Sequence, residues 1–309
     1  MAKPELLVTP TSVEDIIPLA DAGADAFVVG EQRYGLRLAG EFTREDVRKS
    51  IELAHSNGKK VYVAMNAIFH NEKVEELTSY IQFLHEVNAD AIIFGDPAVL
   101  MAAREAAPDI KLHWNTETTA TNWYTCNYWG RKGAKRAVLA RELNMDAIIE
   151  MKENAEVAIE VQVHGMTAMF QSKRSLLGNY YEYQGKVMEV ENRKQEHQMF
   201  LHDKERENKY PIFEDENGTH IMSPNDICII DELQEMIEVG VDSFKIDGIL
   251  KSAEYILEVT KLYRKAIDLC VEDPEQYEDS KDKLLNSIEE IQPADRALDT
   301  GFFFKETVY

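Results

Sequence analysis

Along the chain, short runs of β-branched and aromatic residues alternate with longer stretches in which apolar residues recur every three or four positions. Eight runs read as strands: near Glu5 to Val8, Ala26 to Val29, Lys60 to Ala64, Ala91 to Phe94, Leu112 to Trp114, Arg136 to Leu139, Val157 to Val163 and Ser243 to Ile246. A common phrase precedes several of them, in Gly23-Ala24-Asp25-Ala26, Asn88-Ala89-Asp90-Ala91 and Gly240-Val241-Asp242-Ser243. That phrase has the chemistry of a helix stop followed by a strand start. Between the strands, Asn71 to Val87 places Val74, Leu77, Ile81 and Leu84 on one helical face, with Asn71 as its expected cap. Pro224 to Val239 shows the same spacing in Ile227, Ile230, Leu233 and Ile237, behind Ser223 as expected cap and Pro224 at the first position. Ser252 to Leu269 supplies a helix after the last strand.

Eight β/α units with short links, and no GxGxxG phosphate loop or mark of reversed strand order, predict an α/β fold of the closed parallel (β/α) TIM type. An open sheet would show the same periodicity. The 309 residues suit such a barrel, which commonly takes about 250, so residues 1–270 are expected to form it. The stretch from about 185 to 222 breaks the rhythm with dense charge, and Asn217-Gly218 between β-prone flanks reads as a hairpin turn. It is expected to be an insertion after the seventh strand. Residues 271–309 are expected to add a C-terminal helix, Gln276 to Ile291, and a tail in which Phe302, Phe303 and Phe304 need cover.

Charge narrows the function. With 34 basic against 56 acidic residues the net charge is -22, which opposes strong independent binding of nucleic acid, since that affinity comes largely from cations displacing counterions. Lys173-Arg174, Arg193-Lys194 and Lys204 to Lys209 lend the insertion some positive charge, but glutamates interleave them and a solvated face explains them as well. Cys126, Cys228 and Cys270 are too far apart for a CxxC-type motif or a disulfide framework, and reduced thiols in the cytoplasm fit best. No apolar stretch predicts a signal peptide or a membrane span.

In a parallel barrel, reactive groups sit at the carboxyl ends of the strands. Those ends carry Glu31, Asn66, Asp96, Asn115 with Glu117, Arg141 with Glu142, His164, and Lys245 with Asp247. Each has a plainer use. Glu31 and Asn66 can bond loop amides. Asp96 before Pro97 can cap a helix. Arg141-Glu142 and Lys245-Asp247 can be structural ion pairs. The rings of Trp114, Trp123, Tyr124, Tyr128 and Trp129 suit stacking on a base, and equally suit core packing. We expect His164, Arg141, Glu142, Lys245 and Asp247 to be the catalytic candidates. Glu31, Asn66, Asp96, Asn115, Glu117, Ser172 and Arg174 are expected to hold substrate, and no metal ligands are expected.

Several motifs are more specific: Gly23-Ala24-Asp25-Ala26 with Gly30-Glu31, Val138 to Leu143, Val163-His164-Gly165, Pro211 to Ile221, and Gly240 to Gly248 with Tyr263-Arg264. Together they resemble the U-32 peptidase family, the collagenase-like peptidases, over most of the chain. Cluster-bearing members carry two cysteines after the valine-histidine-glycine, where this sequence has Ala168 and Ser175; of the ligand positions only Cys228 matches. Four thiolates are the usual requirement for an iron-sulfur cluster.

The resemblance is strongest to short, cysteine-poor members that work beside a cysteine-bearing paralogue. It implies a component of prephenate-dependent hydroxylation of the tRNA wobble uridine to 5-hydroxyuridine. No cofactor is then expected on this chain, an iron-sulfur cluster is expected on the partner, prephenate is a co-substrate, and tRNA is contacted indirectly. The family name implies instead a hydrolase, a collagenase-like peptidase using the same mouth. HExxH, GxSxG and CxxC signatures are absent from the sequence. A non-catalytic scaffold subunit is the third reading.

Overall fold

In the computed structural model, residues 2–186, 199–205 and 207–306 are described. Strands β1 (Glu5–Val8), β2 (Ala26–Val29), β3 (Lys60–Met65), β4 (Ala91–Phe94), β5 (Leu112–Trp114), β6 (Ala134–Val138) and β7 (Ala158–Gly165) pair in parallel in sequence order. After β8 (Ala168–Ser172), β9 (Met199–Asp203), β10 (Asn208–Asp215), β11 (Gly218–Met222) and β12 (Asp226–Cys228) comes β13 (Ser243–Ile246), which pairs with both β7 and β1. The ring is therefore closed, with eight parallel strands.

Helices α1 (Ile16–Asp21), α2 (Arg44–Ser56), α3 (Asn71–Glu86), α4 (Pro97–Ala106), α5 (Trp123–Arg131) and α6 (Met145–Asn154) follow the first six strands in turn. The capping chemistry is local. Thr43 accepts from Asp46 N at α2, Asp96 from Ala98 N at α4 and Asn144 from Ala147 N at α6. Helix α3 begins one residue differently from expectation: His70 holds the cap position and Asn71 is already helical. The main core lies between strands and helices, with Phe27, Phe94, Trp114 and Phe244 fully buried there. A smaller apolar wall, with Leu7, Val28, Ala64 and Ile93, faces the inside of the ring.

The insertion begins earlier than its charge pattern predicts, directly after β7. Strands β8, β11, β10 and β9 form an antiparallel sheet in that order, and Asp215 opposite Gly218 closes the expected Asn217-Gly218 turn. A helix α7 (Leu176–Tyr183) lies within it. Arg193 and Lys194 fall outside the described residues.

The expected helix from Pro224 to Val239 is not formed as such. Asp226–Cys228 is β12, antiparallel to β7 with Ile227 opposite Gly165, and only the short α8 (Gln234–Glu238) follows. Ser223 takes part in a turn instead, its hydroxyl donating to Asn225 O and accepting from Thr167 N. The long α9 (Ala253–Glu272), capped by Ser252, packs against α10 (Pro274–Ile291). The Tyr277 hydroxyl on α10 donates to Ile230 O and accepts from Leu233 N. A last strand, β14 (Leu298–Asp299), runs parallel to β12, and beyond it Phe303 is buried while Phe302 and Phe304 are exposed. Among the described residues no helix is long and apolar enough to cross a membrane.

Candidate active site at the barrel mouth

The loop after β2 folds over the barrel mouth because Asn66, at the end of β3, accepts from Leu36 N and Ala67 N bonds to Tyr34 O. This brings Arg37, whose φ is +49°, over the ring. From the other side, Asn115 at the end of β5 accepts from Glu117 N and holds Glu117 at φ +63°. The two side chains form a largely buried ion pair, and Arg141 approaches the same carboxylate at 3.9 Å. Burial works to raise the Glu117 carboxyl, but the charges of Arg37, Arg141 and Lys245 outweigh it and hold the group below the usual carboxylate range.

Beneath this pair, Lys245 Nζ lies 2.9 Å from Asp247 Oδ2. Asp247 is also held below its usual range, the attraction of Lys245 and Arg141 outweighing desolvation. Glu160 projects into the same chamber from β7, where burial pushes its carboxyl up and Arg136, at 3.1 Å, with Lys245 offsets only part of that. Deeper still, Arg136 bonds Glu5 at 2.8 Å, and Glu5 accepts from Tyr62 and Lys60. One wall of the ring is thus a continuous column of charge facing an apolar wall. The arrangement can bind an anion, exchange one carboxylate for another, or hold a proton on Glu160.

The mouth has two tiers. An outer pocket of about 440 Å³ is bounded by Asn66, Asp96, Asn115 and Arg37 below, and by Ile68, Met169 and Phe170 at its lip. The inner chamber contains Arg141, Glu160, Lys245 and Asp247 and has only about 30 Å³ of free space, so its own side chains nearly fill it. Arg37, Asn66, Asn115 and Glu117 belong to both.

Of the expected residues, Asn66, Asp96, Asn115, Glu117, Arg141, Lys245 and Asp247 come together here. Asp96 also serves as the α4 cap. The others do not join them. Glu31 pairs with Arg44 at 3.1 Å, and Arg44 lies over the Tyr80 ring, away from the pocket. Glu142 is exposed to solvent. Ser172 accepts from Arg174 N, Arg174 is exposed, and neither lines the mouth.

His164 is the largest correction. Glu160 and Gln162 face inward, and simple alternation would place His164 with them. Instead Lys245 stands opposite Gln162 and Ile246 opposite His164, so Val163 is an extra residue in the ladder. This bulge turns the imidazole outward under α9. There it is fully buried, with Nε2 2.8 Å from the Tyr255 hydroxyl and its ring edge against Tyr263. Desolvation lowers its pKa to about 3, so the ring is neutral. Tyr255 passes the contact to Gln292, and Gln292, Lys251 and Arg296 all converge on the buried Asp226. His164 belongs to this polar clamp between α9 and the C-terminal segment.

Four contributors were not apparent from strand ends: Arg37, Glu160, Gln171, whose Oε1 accepts from Arg37 at 3.4 Å, and His220, whose Nδ1 stands 3.4 Å from Arg37 and whose Nε2 is 3.0 Å from Asp215. For Glu160 a signal existed, since it shares the alternation of Gln162. Arg37 lies eight residues beyond its strand and has no comparable mark.

The donors for a four-thiolate cluster are missing. Ala168 puts a methyl group at the edge of the mouth, Ser175 precedes α7, and Cys228 is sealed against Tyr263. Among the described residues no three histidine, cysteine or carboxylate side chains gather as metal ligands.

Comparison with known proteins agrees with this architecture. The family model described as peptidase family U32 matches residues 11–308. The chain is 74% identical, over the full length of both, to tRNA hydroxylation protein P2 of Bacillus subtilis (strain 168). It is 34% identical to tRNA hydroxylation protein P1 of the same organism, over 97% of this chain and 71% of that one. The solved U32 peptidase Mk0906 superposes with a TM-score of 0.50 at 12% identity, covering 80% of this chain and 94% of its own. On the family match, which runs nearly end to end, the chain belongs to peptidase family U32.

Proposed function

We propose that this protein is a cytoplasmic component of a tRNA-hydroxylating system that converts the wobble uridine to 5-hydroxyuridine with prephenate as hydroxyl source. The observation that carries the reading is the 74% identity, without truncation on either side, to a protein named for tRNA hydroxylation. The mouth supports it: three cations, Arg37, Arg141 and Lys245, stand among three carboxylates, Glu117, Glu160 and Asp247, and burial pushes Glu160 toward its neutral form, a balance that suits an anionic co-substrate. A cysteine-bearing paralogue is the proposed partner. It would carry the iron-sulfur cluster, and it would also supply the phosphate affinity that a chain of net charge -22 lacks. The existence of P1 alongside P2 in one organism motivates that pairing.

The peptidase reading gains nothing comparable, because His164, one of its catalytic candidates, is sealed beneath α9. The test is nucleoside mass spectrometry of tRNA from cells lacking the gene. Loss of 5-hydroxyuridine, restored by the gene and dependent on the paralogue, is the expected result. Unchanged modification in a strain without a redundant route would overturn the proposal.

A further inference from the structure

Three neighbouring strand ends present an ordered row of hydrogen-bonding groups to the outer pocket: Asn66 after β3, Asp96 after β4 and Asn115 after β5. Phe94 stands opposite both Met65 and Trp114, so Asn66, Gly95 and Asn115 leave the ring side by side and Asp96 stands one residue above them. The orientation of each amide is fixed by its neighbour. Asn66 Oδ1 accepts from Leu36 N at 2.9 Å and Asn115 Oδ1 from Glu117 N at 3.0 Å, which leaves each NH₂ as the group available to a ligand. Asp96 accepts from Ala98 N and Phe69 N, one bond to each oxygen, and a carboxylate retains further lone pairs. The pocket floor therefore offers two donors, on Asn66 and Asn115, and one acceptor, on Asp96.

Gly95 lies between the two amides in the pocket wall, and a Cβ there would press on Asn115 O at 2.9 Å, so the wall stays free of a side chain at that point. Above the row, Ile68, Met169 and Phe170 are 61%, 58% and 45% exposed and line the same pocket. Apolar side chains left in water around a polar floor are the walls of a site for a flat ring.

We infer that the outer pocket binds an extruded uracil base, its imide edge on Asn66, Asp96 and Asn115 and its face against Phe170 and Met169. The imide edge is acceptor, donor, acceptor, the complement of these groups taken in strand order. Cytosine presents donor, acceptor, acceptor to the same groups and loses two of the three bonds. Gripping the ring at N3 leaves the C5–C6 half of the base clear of the row. The inference rests on the proposed tRNA reading for its polymer, but the base selectivity follows from the pocket alone.

Asn66→Asp and Asn115→Asp test it, because aspartate keeps the oxygen that holds the loop amide and replaces the NH₂ donor by a charged oxygen that can only accept. Each is expected to fold as wild type by thermal unfolding, and to lower 5-hydroxyuridine in complemented cells at least tenfold. Phe170→Ala is expected to do the same, with Phe170→Tyr restoring most of it. The full-length chain, mixed with its cysteine-bearing paralogue, should photocrosslink, at Met169 or Phe170, to an anticodon stem-loop carrying 5-iodouridine at the wobble position, and far less to one carrying 5-iodocytidine. Crosslinks mapping elsewhere, no crosslink at all, or equal capture of the two pyrimidines would overturn the pocket assignment even if the gene proves necessary for hydroxylation. Selective crosslinking at these residues would sustain it even if deletion left hydroxylation intact, an outcome that removes the proposed pathway alone.

Discussion

Arg37 and Glu117 both hold left-handed backbone conformations, from loops on different strands, and their side chains meet in a largely buried ion pair across the mouth. Non-glycine residues in that region cost about 1 kcal/mol each, so the pair helps keep two strained loops in place. Removing one partner leaves a buried charge without its main counterion. Arg37→Ala and Glu117→Ala are each expected to destabilise the protein by about 3 kcal/mol in denaturant unfolding. The double variant should lose clearly less than the sum; strict additivity would show that the loops do not depend on the pair.

His164 gives a pH signature. Its pKa is near 3 in the folded protein and about 6.5 when unfolded, so below pH 6.5 the unfolded chain takes up a proton that the native state refuses. Its contribution is therefore complete above pH 6.5 and lost progressively as pH falls toward 3, by at most about 1.4 kcal/mol per pH unit. Unfolding free energies of wild type and His164→Gln, measured between pH 7 and 4, should converge as pH drops. Hydroxylation in vivo should survive the substitution, since the ring does not reach the mouth; its abolition in a folded variant would return His164 to the chemistry.

Gly165 is fixed by contact as well as by conformation. At φ +103° a Cβ would overlap the Asp247 carbonyl oxygen, whereas Gly58, at φ +66°, has open space around it. Gly165→Ala is expected to cost more than about 4 kcal/mol and to yield little folded protein. Gly58→Ala should cost only about 1 kcal/mol, the conformational penalty alone. Similar melting temperatures for the two variants would contradict the close approach of β7 to Asp247.

The thiols should be silent in the native state. Burial pushes Cys126 up to about 12 and Cys228 and Cys270 to about 11, so thiolate is scarce at pH 8. A disulfide reagent is expected to find less than one reactive thiol in the folded protein and all three in denaturant. Rapid native reaction at Cys228 would mean that the clamp beneath α9 opens.

Much of the barrel was legible because several units repeat the same local chemistry, a helix ended by glycine or asparagine and a strand of β-branched residues. What misled were places where long-range pairing overruled local spacing. Ile227, Ile230, Leu233 and Ile237 repeat as a helix does, yet Asp226 is drawn into the cluster with Lys251 and Arg296, and its neighbours are extended against β7. His164 lost its expected direction to one extra residue in a ladder, which no single strand announces. Arg37 was missed because a loop's reach is set by what ties it down, here Asn66, thirty residues away from Leu36 in sequence. Most of the polar strand ends were readable, since the fold sends Asn66, Asp96, Asn115, Arg141, Lys245 and Asp247 to a single rim, while Glu31, Glu142 and His164 turn aside.

Closure of the ring joins Glu5 to Ser243, so the first strand made is completed by almost the last. At ~5–20 residues per second, β1 waits on the ribosome for about 10 to 50 s with one edge unpaired. During that interval the edge is open to any other nascent chain, and Lys3 just before the strand with Glu5 at its start are the kind of charged guard that discourages such an encounter.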